Sequence, residues 1–247
     1  MSAPLFLVDA GSLATATAGG SLVLGGSEGR HAATVRRIAV GESVDVSDGR
    51  GVVARCVVTS VGRDELVLQV VSAAALPAPV PRFVLVQALA KGGRDDLAVE
   101  TATELGVDEI VPWQAERSVV QWRGERGEKA RAGWAATARA AAKQSRRPRL
   151  PEVSALVTGS GVRLRIEQAA LAVVLHEEAT SPLAAVALPA DGEVLLVVGP
   201  EGGISPQELA SFTAAGATAY RLGPHVLRSS TAGPAALAVL SALSRWR

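Results

Sequence analysis

Aromatic residues and cysteine are scarce in this sequence, and their scarcity excludes several classes of protein. Aromatics make up 3% of the 247 residues, so a surface of stacked rings for binding bases is not predicted. The one cysteine, Cys56, excludes an internal disulfide and a cysteine-rich zinc site. It lies in an apolar stretch and is predicted to fill the core. The three histidines are far apart in the sequence, so no metal site is predicted.

Long hydrophobic runs are also missing. No stretch reaches the ~18 to 20 apolar residues that a membrane helix needs, and the first residues lack the basic flank of a secretion signal. We therefore expect a cytoplasmic protein with no membrane partner. Hydrophobic residues still make up 48% of the chain, which is enough to build a packed core.

Positive charge is concentrated in one segment. Residues 117–149 contain ten Lys or Arg and two Glu, a net charge of +8, whereas the whole chain carries +1 and the remainder therefore −7. Concentrated positive charge favours a polyanion partner such as nucleic acid, and a solvated helix face is the alternative. The basic residues are Arg117, Arg123, Arg126, Lys129, Arg131, Arg139, Lys143, Arg146, Arg147 and Arg149.

Two patterns divide the chain. Residues 1–73 read as short strands broken by Gly and Asp-Gly, with one helix over 29–41, which predicts a small, mostly β barrel. Residues 74–82 are rich in proline and predict an extended linker. Over 83–247, strands alternate with helices, including one at 181–188, which predicts an α/β domain with a mostly parallel sheet.

Three consecutive strands of that domain end in unusual loops, within 173–182, 195–209 and 221–234. Ligands of such sheets bind at the carboxyl ends of the strands. In the middle loop, Gly202 and Gly203 let a ligand approach the backbone. The residues that follow predict a well-capped helix, with Ser205 as the cap, Pro206 at the first position and Glu208 completing a capping box.

None of the common phosphate-binding or hydrolase motifs is present. The sequence has no G-x-x-x-x-G-K-[ST], no G-x-G-x-x-G after an early strand and no G-x-S-x-G. A further glycine-rich stretch at 158–161 is predicted to be a loop. The three loops therefore predict a pocket of backbone amides and carbonyls, which suits an adenine or an amino-acid moiety.

The motifs LHE (175–177), GPEGG (199–203) and LGPHVLRSSTA (222–232) resemble the three C-terminal motifs of the SPOUT methyltransferases. GPEGG alone is shared across that superfamily. The segment at 95–122, the basic stretch at 141–151 and the N-terminal stretch at 30–51 resemble the RsmE family in particular. That family methylates N3 of a uridine in 16S ribosomal RNA, and the resemblance covers nearly the whole chain in order.

The resemblance implies a SPOUT-type sheet with a trefoil knot over about 170–247, an N-terminal PUA-like RNA-binding barrel and a homodimer. It implies that S-adenosylmethionine (SAM) is the cofactor and that 16S ribosomal RNA in the small ribosomal subunit is the partner. The residues expected to bind the cofactor are those of the three motifs: Leu175, His176, Glu177, Gly199, Pro200, Glu201, Gly202, Gly203, Leu222, Gly223, Val226, Leu227, Arg228, Thr231 and Ala232.

Methylation of uracil N3 requires that the nitrogen lose its proton, so a general base or a cation that stabilises the resulting charge is needed. Arg228 is the candidate for charge stabilisation, and Glu201 for orientation or for accepting the proton. The RNA contacts are expected among the basic residues and one histidine: His31, Arg36, Arg37, Lys91, Arg117, Lys143, Arg146 and Arg147.

The sequence departs from the family at two positions. Ser230 stands where the last motif usually has Glu, and Thr101 stands where Lys often precedes A-T-E-L-G. Two other functions stay open on the sequence alone. One is a SPOUT enzyme that methylates a ribose 2′-OH of transfer or ribosomal RNA, and the other is a non-catalytic RNA-binding assembly factor.

Overall fold

The structure, a computed structural model, describes residues 3–246 and divides into two compact units. The first contains the chain up to Ala78 together with Ala142–Leu150, and the second contains Pro79–Ala141 with the chain from Pro151 onward. The segment Ala142–Leu150, which the sequence grouped with the C-terminal domain, thus packs with the N-terminal unit. Within that unit the Leu150 N–H donates to the Gly49 carbonyl at 2.9 Å, and the Ser47 hydroxyl donates to the Pro148 carbonyl at 2.8 Å.

A mixed five-stranded sheet forms the first unit. Its order is β1-β3-β4-β5-β2, antiparallel except for the β1–β3 pair. Alternate residues of β3 and β4 face a core that includes Phe6, Val44, Val46 and Leu68. The strands are β1 (Leu5–Leu7), β2 (Ser21–Leu24), β3 (Ser43–Ser47), β4 (Val52–Val61) and β5 (Leu66–Ala75).

The helix of this unit is shorter than the sequence predicts. Helix α1 spans Gly26–Arg30, and a π-helical turn follows at His31–Val35. The predicted helix over 29–41 ends early because Arg37 adopts a left-handed φ of 52°, which an α-helix cannot contain.

The second unit has a six-stranded sheet of order β11-β9-β10-β6-β7-β8 in which every neighbouring pair is parallel. The predicted α/β domain is confirmed, whereas the threading of a trefoil knot stays a prediction. The strands are β6 (Arg82–Ala88), β7 (Glu109–Trp113), β8 (Glu152–Val153), β9 (Leu171–Leu175), β10 (Glu193–Val198) and β11 (Thr218–Tyr220). The helices are α2 (Arg94–Glu104), α3 (Gly124–Gln144), α4 (Gly159–Gln168), α5 (Pro206–Ala214) and α6 (Ser229–Leu243), and the last three residues of α3 belong to the first unit.

Both faces of this sheet are buried, as a parallel sheet requires. Along β6, Phe83 and Leu85 pack into one core with residues of α2, α3 and α6, and Val84 and Val86 pack into a second core with residues of α4 and α5. Ligands of such sheets bind at the carboxyl ends of the strands, beyond the helices that cover the two faces.

Two local predictions were wrong. The helix predicted at 181–188 is a single 3-10 turn at Leu183–Ala185, because the backbone on either side of Pro182 pairs with Arg221 in an extended bridge. The loop predicted at 158–161 is the first turn of α4. A Cβ at Gly161 would lie 2.9 Å from the Val157 Cβ, so this glycine permits close packing and does not mark a loop.

Among the helices of residues 3–246, none combines the length and the apolar character of a membrane span. The same residues contain no group of three or more His, Cys, Asp or Glu placed to hold a metal ion.

Candidate active site

The three unusual loops meet around one cavity of about 750 Å³. Strands β11, β9 and β10 are neighbours and parallel, so their carboxyl ends lie at the same edge of the sheet. The lining comes from the ends of these strands and the loops after them, the starts of α5 and α6, and Arg117: Arg117, Leu175, His176, Glu177, Glu178, Val198, Gly199, Pro200, Glu201, Gly202, Gly203, Ile204, Pro206, Leu209, Tyr220, Arg221, Leu222, Gly223, Pro224, His225, Val226, Leu227, Arg228, Ser229 and Ala232.

All but one of the residues that the resemblance assigns to the cofactor line the cavity. Thr231 is exposed and does not line it. Several lining residues were not among the predicted cofactor residues, notably Glu178, Tyr220 and Arg221. The sequence could have indicated Arg221 as a cofactor residue, because it directly precedes the LGPHVLR motif. Arg117 was predicted for RNA contact only, and nothing in its local sequence indicates the cavity.

The middle motif forms a tight turn, which we call the glycine turn (residues 200–203). The Gly203 N–H donates to the Pro200 carbonyl at 2.9 Å, and Gly203 has a φ of +73° that favours glycine. Gly199 is required by close packing, because a Cβ there would lie 2.7 Å from the Ile204 Cγ1. The backbone of this motif therefore reaches the cavity without side chains in front of it.

Helix α5 fixes the position of the glycine turn. The Ser205 hydroxyl accepts from the Glu208 N–H at 3.1 Å, and the Glu208 carboxylate accepts from the Ser205 N–H at 3.2 Å. Pro206 occupies the first helical position. The predicted capping box is confirmed, and it satisfies N–H groups that a helix start otherwise leaves unpaired.

Glu201 is held at a corner of the glycine turn. Its carboxylate accepts from the Arg94 guanidinium, with 3.0 Å between Oε1 and Nη1. Burial alone would raise the pKa of Glu201, but hydrogen bonds from the backbone of Glu201 and Lys91, together with Arg94, lower it below the ordinary value. An ionised carboxylate with a lowered pKa is a weak base, so the geometry favours orientation over proton acceptance.

Arg228 stands at the entrance to α6 with an exposed side chain. Its carbonyl accepts from the Thr231 and Ala232 N–H groups at 2.8 and 2.9 Å, which anchors the backbone. No hydrogen bond of its guanidinium is found among residues 3–246, and the side chain lines the cavity. An anchored backbone with an uncommitted cation suits charge stabilisation in a substrate.

The predicted RNA residues separate into two groups. His31, Arg36 and Arg37 lie in the first unit with Lys143, Arg146 and Arg147, which belong to the segment Ala142–Leu150. Lys91 and Arg117 lie in the second unit. Lys143 and Arg117 each have a partner within their own unit. Lys143 pairs with Glu28 at 2.8 Å, and the Arg117 guanidinium donates to the Gly202 carbonyl at 3.1 Å.

Comparison with known proteins gives the family. A sequence model of the RNA methyltransferase domain matches residues 77–241, and one of the RNA methyltransferase PUA domain matches residues 24–71. The chain is 46% identical, over 100% of its own length and 94% of the relative's, to Ribosomal RNA small subunit methyltransferase E of Mycobacterium bovis. The chain belongs to this family.

Solved structures agree with that membership. Ribosomal RNA small subunit methyltransferase E from Neisseria gonorrhoeae, bound to S-adenosyl methionine, has a TM-score of 0.84 at 24% identity, covering 98% of each chain. A Legionella pneumophila protein in complex with the bound cofactor SAM has a TM-score of 0.82 at 27% identity, again covering 98% of each chain. The fold is that of the SPOUT methyltransferases with an N-terminal PUA domain, as the sequence predicted.

Ser230, one of the two positions at which this methyltransferase E family member departs from the motifs, lies beside the cavity and not in its lining. Ser230 is buried in the first turn of α6, whereas its neighbours Ser229 and Ala232 line the cavity. Serine thus occupies a packed position here.

Proposed function

We propose that this protein transfers a methyl group from SAM to N3 of a specific uridine in 16S ribosomal RNA within the small ribosomal subunit. The observation that carries the proposal is the meeting of the LHE, GPEGG and LGPHVLR loops around one cavity. The membership in the methyltransferase E family supplies the substrate class, and the cavity supplies the place for the cofactor.

The residues of the cavity fit SAM. A volume of about 750 Å³ lies within the range of roughly 300–1,000 Å³ typical of small-molecule sites. The bare glycine backbone offers amides and carbonyls to an adenine, while Glu177, Glu178 and Glu201 give the lining carboxylates that suit a cationic ligand. At Gly223 a Cβ would meet nothing within 4 Å, so this part of the wall is open for a ligand.

When bound, SAM supplies an electrophilic methyl group. The protein's own contribution is to hold the acceptor base in line with that group and to stabilise the charge on the base. Arg228, whose backbone is anchored and whose guanidinium has no hydrogen bond to another of the residues 3–246, stabilises the negative charge that the uracil oxygens gain as the N3 proton leaves. Glu201, fixed by Arg94, orients the glycine turn.

Basic residues of both units bind the RNA. Arg36, Arg37 and Arg146 are exposed cations of the first unit and are suited to phosphate contacts. Phosphate contacts give affinity and salt dependence, so the structured surface of the subunit selects the nucleotide. We further propose that the protein acts in the cytoplasm as a homodimer, with exposed apolar residues such as Trp246 near the end of α6 available for the partner copy.

The test uses small ribosomal subunits purified from cells that lack this gene. The subunits are incubated with the protein and radiolabelled SAM, and the RNA is then digested to nucleosides. We expect label in 3-methyluridine, with much less label when short naked RNA replaces the subunits. A matched reaction with subunits from wild-type cells should stay unlabelled, because their target is already methylated.

Other outcomes identify the alternatives. Label in a ribose-methylated nucleoside would reassign the protein to 2′-O methylation. No label on any ribosomal particle, with SAM still bound, would indicate an RNA-binding factor without the chemistry.

A further inference from the structure

Two arginines from separate loops hold the glycine turn from outside the GPEGG motif. Arg94 follows β6 at the start of α2, and Arg117 lies in the segment between β7 and α3. Each contacts one of the two corner residues of the turn. Arg94 pairs with the side chain of Glu201, and Arg117 donates to the backbone carbonyl of Gly202.

On the Arg117 side the contact is close along both backbone and side chain. A Cβ at Gly202 would lie 3.2 Å from the Arg117 Cβ and 3.3 Å from the Arg117 carbonyl oxygen. A side chain at position 202 would prevent the turn from packing directly on Arg117, and glycine has none. The hydrogen bond of 3.1 Å from the guanidinium fixes the direction of the 202–203 peptide, whose N–H closes the turn onto Pro200.

On the Arg94 side the contact acts on the lining carboxylate. The two side chains are partly exposed, at 40% for Arg94 and 28% for Glu201, and their charged atoms lie 3.0 Å apart. The Lys91 backbone adds a further hydrogen bond to Glu201. Arg94 does not line the cavity itself, so its effect on a ligand passes through Glu201.

We propose that Arg94 and Arg117 are positioning residues that hold the glycine turn in the conformation that binds the cofactor. The proposal rests on the proposed function, because the cofactor is SAM only if that function is right. It changes the role of Arg117, which the sequence assigned to RNA. It adds Arg94, for which the sequence predicted no role.

The test measures the affinity of the protein for SAM and for its product S-adenosylhomocysteine by titration calorimetry, without RNA. We compare wild type with Arg94→Gln and Arg117→Gln. The control is Arg163→Gln, which removes a guanidinium that pairs with Glu167 at the same 3.0 Å on α4, outside the cavity lining.

We expect each of the two variants to bind both molecules roughly 3- to 10-fold more weakly, and the control to bind within about 1.5-fold of wild type. The direction of the change in SAM affinity distinguishes two causes. SAM carries net positive charge, so loss of a nearby cation would by charge alone strengthen its binding. For Arg94, which does not line the cavity, weaker binding therefore reports a displaced turn and not a changed electrostatic field. For Arg117, which lines the cavity, hydrogen exchange of the turn separates displacement from the loss of a direct contact.

A double-mutant cycle tests whether Arg94 acts through its partner. We expect Arg94→Gln with Glu201→Gln to bind SAM no more weakly than Glu201→Gln alone, because the arginine then has no carboxylate to hold. Additive losses would overturn this part of the proposal. With small subunits as substrate, Arg94→Gln and Arg117→Gln should raise KM for SAM and leave kcat at saturating SAM nearly unchanged.

Hydrogen exchange of the peptide covering 199–205 gives a readout in the free protein. Both variants should exchange faster there than wild type, with no change elsewhere in the second unit. Unchanged exchange and unchanged SAM affinity, together with a raised KM for subunits, would make the two arginines phosphate contacts and overturn the inference. Failure of the wild-type protein to bind SAM would instead overturn the proposed function, a result that the variants do not affect.

Discussion

The carboxylate of Glu208 accepts a hydrogen bond from the backbone N–H of Glu116 at 2.8 Å, although the two residues are 92 positions apart. Its other oxygen accepts from the Ser205 N–H, as the capping box requires. One side chain thus caps α5 and ties the segment after β7 to the same helix. That segment also contains Arg117, which contacts the glycine turn, so Glu208 supports the cavity from two directions.

The first prediction concerns this double role. Glu208→Ala should lower the free energy of unfolding of the second unit by about 1–3 kcal/mol, because it removes a cap and leaves the Glu116 N–H unpaired. Tryptophan fluorescence during urea unfolding measures this, since all four tryptophans, Trp113, Trp122, Trp134 and Trp246, lie in the second unit.

A matched variant separates this role from the loss of charge. Glu167→Ala removes an exposed carboxylate that pairs with Arg163 on α4 and should cost no more than about 0.5 kcal/mol. Equal losses in the two variants would mean that neither the helix cap nor the Glu116 contact adds to the stability.

The second prediction concerns Arg245, which fastens the end of the chain to the opposite end of the sheet. Its guanidinium pairs with Asp108, donates to the Gly106 and Pro81 carbonyls, and lies 3.9 Å above the Phe83 ring. Both charged side chains are largely buried, at 13% and 12% exposed. Arg245→Ala should therefore cost about 2–4 kcal/mol of unfolding free energy, because it removes the Arg245 cation from the largely buried Asp108 carboxylate.

The measurement is again urea unfolding followed by tryptophan fluorescence, and Arg245→Lys is the informative second variant. Lysine keeps the charge but lacks the planar fork that serves several acceptors at once. It should recover only part of the loss, and full recovery would show that charge alone matters there.

The sequence could predict those features whose determinants are local. The capping box of Ser205 and Glu208 is a four-residue pattern. Each of the three motifs follows an apolar run, and the end of that run predicts where the strand ends. The contacts between Arg94 and Glu201 and between Glu116 and Glu208 join residues 107 and 92 positions apart, and no local pattern encodes them. The start of α4 was missed because glycine indicates a loop by propensity, whereas Gly161 is there for packing.

The third prediction concerns Arg228. Arg228→Ala should lower kcat on small subunits by about 10²- to 10³-fold and leave the Kd for SAM nearly unchanged, because the guanidinium stabilises charge on the base and not on the cofactor. Calorimetry and single-turnover methylation measure the two quantities. Parallel losses in both would instead make Arg228 an anchor of the cofactor loop.

The fourth prediction uses Cys56, the single cysteine, which reports on the first unit alone. Burial, with a smaller contribution from Asp45, raises the pKa of Cys56 to about 11. At pH 8 only about one thiol in a thousand is then ionised, and the residue is 1% exposed.

Iodoacetamide should therefore label the native protein very slowly and the urea-unfolded protein completely. The rate of labelling should rise with urea concentration as the first unit unfolds, whether or not tryptophan fluorescence changes. Labelling of native protein within minutes would contradict the burial of this thiol.

The fifth prediction is a pH dependence that arises from Glu109, a buried carboxylate of β7. It contacts Arg82 and Arg165, each at 2.7 Å, and accepts from the Ser154 hydroxyl. Burial alone would raise the pKa of Glu109, but the Ser154 hydrogen bond and the two arginines lower it below the ordinary glutamate value. The folded state therefore binds this proton less readily than the unfolded state, whose pKa is about 4.3.

The stabilisation by Glu109 should be fully present above the unfolded pKa and lost as the pH falls through the lower folded pKa. At pH 7, Glu109→Gln should cost about 2–3 kcal/mol of unfolding free energy, because Arg165 and Arg82 lose their contact with the Glu109 carboxylate, even though Arg82 keeps Glu193 at 2.8 Å. The difference between wild type and Glu109→Gln should stay constant above about pH 5 and shrink steadily below pH 4. The control is Ile110→Val, a buried neighbour that does not titrate, whose cost of about 0.5–1.5 kcal/mol should be the same at every pH. A Glu109→Gln difference as flat in pH as that of Ile110→Val would show that this carboxylate has no lowered pKa.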